Sequence, residues 1–391
     1  MGKVVIKKCS TYNDDDVLNI LKQVFNSLGG IDKYIKPGMR VALKPNLVRK
    51  KRPEEAATTH PSIIKALSVL IKEAGGIVTI VESPGGFFST SMLKGVYSFC
   101  GIEKAANDSG ANLSYDLNEI EIQNPKGKYL KKVTVVKALI DADIIINVPK
   151  LKTHGQMVYT GAVKNMFGAV PGELKAEYHF RMSEYDEFAD ALIDIYLSVK
   201  PSLNIMDAIV GMDGEGPTSG NPKDIGVIIA GENAFEVDFT ALNIIGAKPT
   251  SVPIIKQGIE RRLCPDNLDD IKLIGEKVED VKITNFYIPQ LDTLNSIIFL
   301  NKGIFKYFMK RLKPKPKFHY NLCIGCAECQ RVCPAHVISM KDKKPEINMS
   351  ACISCFCCQE MCPQKAVYIK RPAIIDGYIK YRKRKRLVEK N

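Results

Sequence analysis

Two hydrophobic periods alternate along the first three hundred residues. Short runs that are apolar and β-branched, Lys3–Cys9, Met39–Asn46, Ile77–Ser83, Ala142–Lys150, Ser202–Met212 and Ile225–Gly231, read as strands. Several carry apolar side chains at consecutive positions, the pattern of strands covered on both faces. Between them, residues 16–28, 61–75, 185–199 and 234–247 place apolar side chains three and four apart, as amphipathic helices do. The second of these helices opens with Pro61 in its first turn, where the missing N–H costs nothing. Strands alternating with helices predict an α/β fold built on a doubly wound, mostly parallel sheet. The length favours two lobes with a break near 150–200.

Beyond residue 298 the pattern changes. Phe299, Ile304, Phe305, Phe308, Met309 and Leu312 fall at roughly helical spacing with Lys302, Lys306, Lys310 and Arg311 between them. This basic amphipathic segment and the stiff Pro-Lys-Pro-Lys stretch make a linker over 299–318. A small α+β domain follows at 319–371, in which Pro334–Met340 reads as a short helix and Ala366–Lys370 as a strand. A basic tail fills 372–391.

The small domain is defined by cysteine. Nine of the chain's twelve cysteines lie between 323 and 362, in two copies of C-x2-C-x2-C-x3-C-P. The pattern resembles bacterial two-cluster ferredoxins. Three thiolates in a tight loop cap three irons of a cubane, and the fourth, beyond the turn, reaches the other cluster. Cys323, Cys326, Cys329 and Cys362 are thus expected on one [4Fe–4S] cluster, and Cys352, Cys355, Cys358 and Cys333 on a second. A zinc ribbon would use pairs rather than quartets. Cys357 falls outside the register and reads as a buried free thiol. Cys9, Cys100 and Cys264 sit in apolar surroundings and read as core residues.

Charge divides at the same place. Residues 301–391 hold 21 Lys and Arg against 6 Asp and Glu, and the rest of the chain is nearly balanced. Small electron carriers of the ferredoxin or flavodoxin type are acidic, so a basic surface beside a cluster would steer one in. A basic amphipathic helix also suits peripheral membrane contact. No nucleic-acid recognition motif accompanies the charge. With neither an export signal nor an apolar run long enough to span a bilayer, the expected location is cytoplasmic, in an anaerobe.

In the α/β part, polar residues gather where strands end, which is where open α/β sheets bind ligands. Lys44 and Asn46 follow one strand, and Ser83, Gly85 and Gly86 another. Lys152 and His154 follow a third, and Asp213, Glu215 and Thr218 a fourth. The segment from Thr153 to His179 adds Lys164, Asn165 and four glycines. It has too little alternation for a long strand and too much glycine for a comfortable helix. It reads as the lining of a cleft for a small-molecule substrate, or for an additional cofactor or metal. His154, Lys164 and His179 are its candidate catalytic groups, imidazole being the side chain that titrates near neutrality. No nucleotide-binding fingerprint is present.

The motifs ALKPNLV, THPSII, VPKLKTHG, GAVKNMFGAVPG and DAIVGMDGEGPTSG together resemble the domain of unknown function 362 family, whose members often carry a C-terminal two-cluster ferredoxin module. The resemblance implies an α/β fold and iron–sulfur electron transfer. His154, then Lys164 ten residues on, then His179, is also faintly similar to the nickel-pincer lactate racemase family. There the lysine anchors an organometallic cofactor and histidines act as metal ligand and acid/base. Ala162 and Val163 stand before Lys164 where that family prefers a nearby glycine. The expected function is a ferredoxin-fused redox enzyme, an oxidoreductase passing electrons to the α/β cleft. The alternatives are a non-catalytic docking module that presents a ferredoxin to a larger complex, and an enzyme with a nickel-pincer-like metal site.

Overall fold

A computed structural model describes residues 2–289 and 314–370. Contacts divide the chain into two units that meet between residues 288 and 289. Of the basic amphipathic segment and linker expected over 299–318, residues 299–313 lie outside the described residues, as does the tail expected from 372.

The strands of the first unit are β1 (Lys3–Lys8), β2 (Arg40–Pro45), β3 (Ile77–Ile80), β4 (Asn112–Leu113), β5 (Glu119–Gln123) and β6 (Lys132–Val136). They continue with β7 (Ile144–Val148), β8 (Lys150–His154), β9 (Val158–Thr160), β10 (Leu203–Asp213), β11 (Asn221–Gly231) and β12 (Lys272–Gly275). One sheet runs in the order β12-β1-β11-β10-β7-β2-β3-β4, with β8 beside β10 and β9 beside β8. In that order only β11 runs against its neighbours. β5 and β6 form a separate antiparallel pair. Strands from both sides of residues 150–200 share this one sheet, so the α/β part is a single unit and not two lobes. The physical reason is β7, all of whose residues are buried: it joins β2 to β10 through the sheet's centre.

Helices cover both faces. Asp14–Leu28 buries Val17, Leu21, Val24, Phe25 and Leu28, one stripe of a 3.6-residue period. Asn13 caps it through the amides of Asp15 and Asp16, and Gly29 ends it at φ 106°, where a side chain would be strained. With Pro61–Glu73 it packs Leu21, Phe25, Ile63 and Leu67 into the core formed by Val41, Leu43, Ile146 and Ile205. Helices Tyr185–Val199, Ala234–Ile244 and Pro253–Glu260 pack together, and Ala234–Ile244 rests on β10 and β11.

The second unit is built of two like halves. Its strands are β13 (Lys315–Phe318), β14 (Ile338–Lys341), β15 (Lys344–Ile347) and β16 (Val367–Lys370). β13 pairs with β16, and β14 with β15. β13, the helix Glu328–Arg331 and β14 recur 29 residues later as β15, the helix Cys357–Glu360 and β16. Two sequence expectations are corrected here. The Pro-Lys-Pro-Lys linker is an edge strand of the unit, a place proline tolerates. Ile338–Lys341, which overlaps the end of the stretch expected as a helix over 334–340, is a strand, because its backbone pairs with Lys344–Ile347.

Candidate functional site

Strands β2, β3 and β7 run in parallel, so their carboxyl ends share one edge. From β2 the chain passes to β3 and β4, then returns to place β7 on the other side. The point between β2 and β7 is therefore a topological switch, where open sheets leave a crevice. In this protein the crevice holds Asn165. Its amide Nδ2 lies 2.7 Å from Asn147 Oδ1 and 3.3 Å from the carbonyls of Lys44 and Pro45, and its Oδ1 accepts from Asn46 Nδ2 at 2.8 Å.

These bonds belong to a longer chain with every donor facing the same way. Lys152 Nζ donates to Asn46 Oδ1 (2.8 Å), Asn46 to Asn165, Asn165 to Asn147, Asn147 to Asn204 Oδ1 (2.8 Å), and Asn204 to the carbonyls of Gly231 and Glu232. All five side chains are buried. In such surroundings successive bonds polarise one another, and an unmet group is expensive.

Two buried ion pairs flank the chain. Lys44 Nζ lies 3.0 Å from Glu82, which also accepts from the amides of Leu47 and Ser83 at 2.9 Å. Lys150 Nζ lies 2.9 Å from Asp207, which also accepts from Tyr12 Oη (2.7 Å) and the His60 amide (2.9 Å). Burial pulls both lysine pKa values below the ordinary range, and each carboxylate pulls back. His60 stacks on Tyr12 and caps the Pro61–Glu73 helix by accepting from the Ser62 amide. Burial lowers its pKa to about 4, so it stays neutral.

Lys150, Lys152 and His154 alternate along β8 and so share one of its faces. His154 Nδ1 accepts from the amides of Gln156 and Met157 at 3.1 and 3.3 Å, which puts the neutral ring's proton on Nε2. Across the hairpin stands Val158 at φ 68°, a conformation that costs a β-branched residue about 1–3 kcal/mol. Thr153 Oγ1 donates to the Gly214 carbonyl (2.9 Å) and Gly155 N to Gly216 (3.1 Å), which brings the 213–219 loop against β8. In that loop Asp213 accepts from the Tyr287 amide, Thr218 is buried and Glu215 half-buried.

The segment expected to be irregular is a run of short elements. β9 leads through Gly161 to a helical turn at Ala162–Asn165, a 3-10 turn at Met166–Ala169 and a helix at Gly172–Arg181. Its glycines permit close packing. A Cβ on Gly161 would strike Asp238, whose carboxylate accepts from the Ala162 and Val163 amides. On Gly168 it would strike Lys44 and Glu82, and on Gly172 the carbonyls of Pro84 and Gly86. Lys175 Nζ donates to the carbonyls of Ser83 and Pro84, and Gly85 N to Val48 O, fixing the loop after β3. Burial raises the Asp238 pKa to about 7 against the opposing pull of those amides.

The structure thus gathers Lys44, Asn46, Lys152 and Asn165 around one crevice. Ser83 adjoins them through its amide hydrogen bond to Glu82, and His154 along the same face of β8. Lys164 Nζ lies 5.7 Å from the centre of the Phe167 ring. His179 is buried among aromatics, 4.4 Å from the Phe188 ring and 5.7 Å from Phe167. Asn147, Asn204, Asp207 and Asp238 were missed because each is a lone polar residue in an apolar run, and Tyr12 because it stands in a polar loop between strand and helix. Among the described residues, no three His, Cys, Asp or Glu side chains gather closely enough to hold a single metal ion.

A cubane differs from a single ion in taking one thiolate per iron. In the second unit one cavity is lined by Cys323, Cys326, Cys329 and Cys362, another by Cys333, Cys352, Cys355 and Cys358. Each quartet takes three cysteines from one motif and the fourth from the other, a donor set that fits a cluster. Gly325 and Ala327 in the first loop, and Ser354 and Phe356 in the second, all have positive φ, so both loops wind alike. Gly325 has no room for a side chain, since a Cβ there would lie 2.8 Å from that of Lys343. The same offset of 29 residues maps Cys357 onto Glu328, outside both quartets.

The family model described as domain of unknown function 362 matches residues 41–243, and the 4Fe–4S dicluster domain matches 315–363. The chain belongs to the domain of unknown function 362 family. Thylakoid-associated protein sll1697 of Synechocystis is 32% identical over 328 residues, which cover 81% of this chain and 98% of that protein. Two solved structures bear a distant likeness, each with a TM-score of 0.37. The lactate racemase apoprotein of Thermoanaerobacterium thermosaccharolyticum is 12% identical, covering 61% of this chain and 57% of that one. A Thermotoga maritima protein is 14% identical, covering 60% and 59%. The chain spans less than two thirds of either. The dicluster domain makes this an iron–sulfur protein. No helix among the described residues is long and apolar enough to cross a membrane.

Proposed function

We propose that the protein is a two-cluster electron-transfer protein whose α/β unit takes the electrons to a substrate or cofactor at the carboxyl edge of its sheet. The observation that carries the first half is the crossing of the cysteine quartets, each cavity drawing its fourth thiol from the other motif. Cys323, Cys326, Cys329 and Cys362 would hold one [4Fe–4S] cluster, and Cys352, Cys355, Cys358 and Cys333 the other. When bound, the clusters supply one-electron transfer. The chain's own part is to hold the thiolates and shield them: Phe356, Ile338 and Ile347 line the second cavity, and Phe318 and Val367 the first.

The second half is supported by the charged groups buried at the sheet edge, and by His154 with its proton directed to Nε2. A docking role for the α/β unit is favoured instead by Asn165, which fills the switch-point crevice with the chain's own amide. His154→Ala separates the two. A redox site loses substrate-dependent oxidation of the reduced clusters with iron content unchanged; a docking module keeps it.

For the clusters, anaerobic protein should contain about eight irons and eight acid-labile sulfides per chain. Cys333→Ala should damage the cluster of the second motif and spare the first. Four irons, or stoichiometric zinc, would overturn the assignment. Nickel near one per chain would restore the pincer reading.

A further inference from the structure

The two halves of the iron–sulfur unit share a fold but not a surface. Cys326 is exposed, while its counterpart 29 residues on, Cys355, is buried. Ala327 corresponds to Phe356, which is 2% exposed and closes over the second quartet. The loop into the first quartet presents Tyr320, Leu322 and Ile324 at 50%, 46% and 61% exposure, alternating side chains on one short run. Their counterparts are Met349, Ala351 and Ile353, of which the first and last are half-buried and the second is small. Three large apolar side chains exposed together beside one cysteine form a patch of the kind that marks an interaction surface.

The β14–β15 turn lies directly against this collar. Lys344 Nζ donates to the carbonyls of Tyr320 (2.7 Å) and Cys323 (3.3 Å), and Tyr320 Oη to Pro345 O (3.3 Å). The turn is Lys341-Asp342-Lys343-Lys344, three cations to one carboxylate, and Lys341 and Lys343 are exposed. Arg331 on the adjoining helix donates to the Cys326 carbonyl and pairs with Glu328.

From this we infer that the collar of Tyr320, Leu322 and Ile324, with Lys341 and Lys343 at its rim, is the docking surface for an acidic electron-carrier protein. Electrons then enter or leave through the first quartet, and the second is the inner station. An apolar centre ringed by charge is the anatomy of a transient protein interface. The lysines speed and orient encounter, and the apolar residues hold the complex. A cluster held by Cys323, Cys326, Cys329 and Cys362 would exchange one electron per encounter with the carrier's redox centre, with no bond made or broken.

This rests on the electron-transfer reading, so iron and sulfide content is measured first in every variant. The probe is an acidic flavodoxin. Its affinity in the oxidised state is measured by calorimetry, and its rate of cluster reduction by stopped flow, against the intact anaerobic protein. Leu322→Ser with Ile324→Ser should weaken binding about tenfold at all salt concentrations. Lys341→Glu with Lys343→Glu should do so at low salt only, because screening removes the effect near 1 M. Met349→Ser, at the counterpart of Tyr320, should change neither. Reduction by dithionite should be the same in all variants. Loss of iron from the parent protein would sink the electron-transfer reading itself. Full iron content with unchanged affinity in both double variants would overturn only the docking surface. So would binding to phosphatidylglycerol vesicles that the serine variants abolish while flavodoxin binding persists.

Discussion

Replacing Asn165 with alanine tests whether the glycine-rich segment is structural or ligand-facing. Asn165 is the middle link of the chain from Lys152 to β11, and it accepts from Asn46 and donates to Asn147 at 2.8 and 2.7 Å. Alanine removes both bonds and leaves Asn46 Nδ2 and Asn147 Oδ1 buried without them. Each such group costs about 1–3 kcal/mol, and the lost volume adds to this, so the expected destabilisation is about 3–5 kcal/mol. Asn165→Asp keeps the shape but sets an acceptor against Asn147 Oδ1 and the carbonyls of Lys44 and Pro45, so restoring volume should not rescue stability. The assay is urea unfolding of the anaerobic holoprotein, followed by far-UV circular dichroism. Hydrogen exchange at residues 162–169 and 44–47 shows whether the loss is local. If Asn165→Ala unfolds within about 0.5 kcal/mol of the parent, the amide chain does not hold the sheet edge together. Asn165 would then be a ligand contact.

Three further outcomes follow from the same packing. Burial holds the Asp238 carboxyl at about 7, well above the usual carboxylate range, so below that the folded protein keeps a proton the unfolded chain has lost, and stability falls as pH rises toward 7. Asp238→Asn removes the titration, so the variant should gain on the parent as pH rises from about 4 to about 7, by about 1.4 kcal/mol per unit at most, and no further above that; parallel stability–pH curves would contradict this. Gly168→Ala pushes a methyl group into the buried Lys44–Glu82 pair and should cost about 1–3 kcal/mol in the same urea assay. Cys357→Ala should leave iron and sulfide content unchanged, because its counterpart is Glu328 and the quartets are complete without it; a loss of iron would make it a ligand.

The main elements were legible because burial imposes a period on the sequence. The helix Asp14–Leu28 shows its stripe in Val17, Leu21, Val24, Phe25 and Leu28, and β7 shows its double burial in Ile144, Ile145, Ile146 and Val148, apolar on both faces. The cysteine quartets were legible because ligation is local: three donors must come from one loop. The 153–179 segment was not, since what fixes each of its residues lies far away in sequence. Gly161 answers to Asp238, Gly168 to Lys44 and Glu82, and Gly172 to the loop after β3. Glycine in a sequence signals only that a backbone comes close to something, and here that something is a helix carboxylate in one case and the ends of β2 and β3 in the others.

The Lys-Leu-Lys-Thr-His run shows where pattern reading inverts. Alternation of polar and apolar residues ordinarily means one face in solvent and one in the core. All five residues of β8 are buried, and its polar face is the inner one, turned toward Asp207, Tyr12 and Asn46. Burying two ammonium groups side by side is costly unless partners are built for each. Those partners are Asp207 in the middle of β10, Asn46 just past β2 and the Ala57 carbonyl, none adjacent to β8 in sequence. An apolar sheet edge of the same shape would be simpler to fold. That the chain instead buries an ion pair and a second, separately capped lysine at the edge where open sheets bind ligands supports the proposal of a redox site there, while the amide chain through Asn165 speaks for a mount.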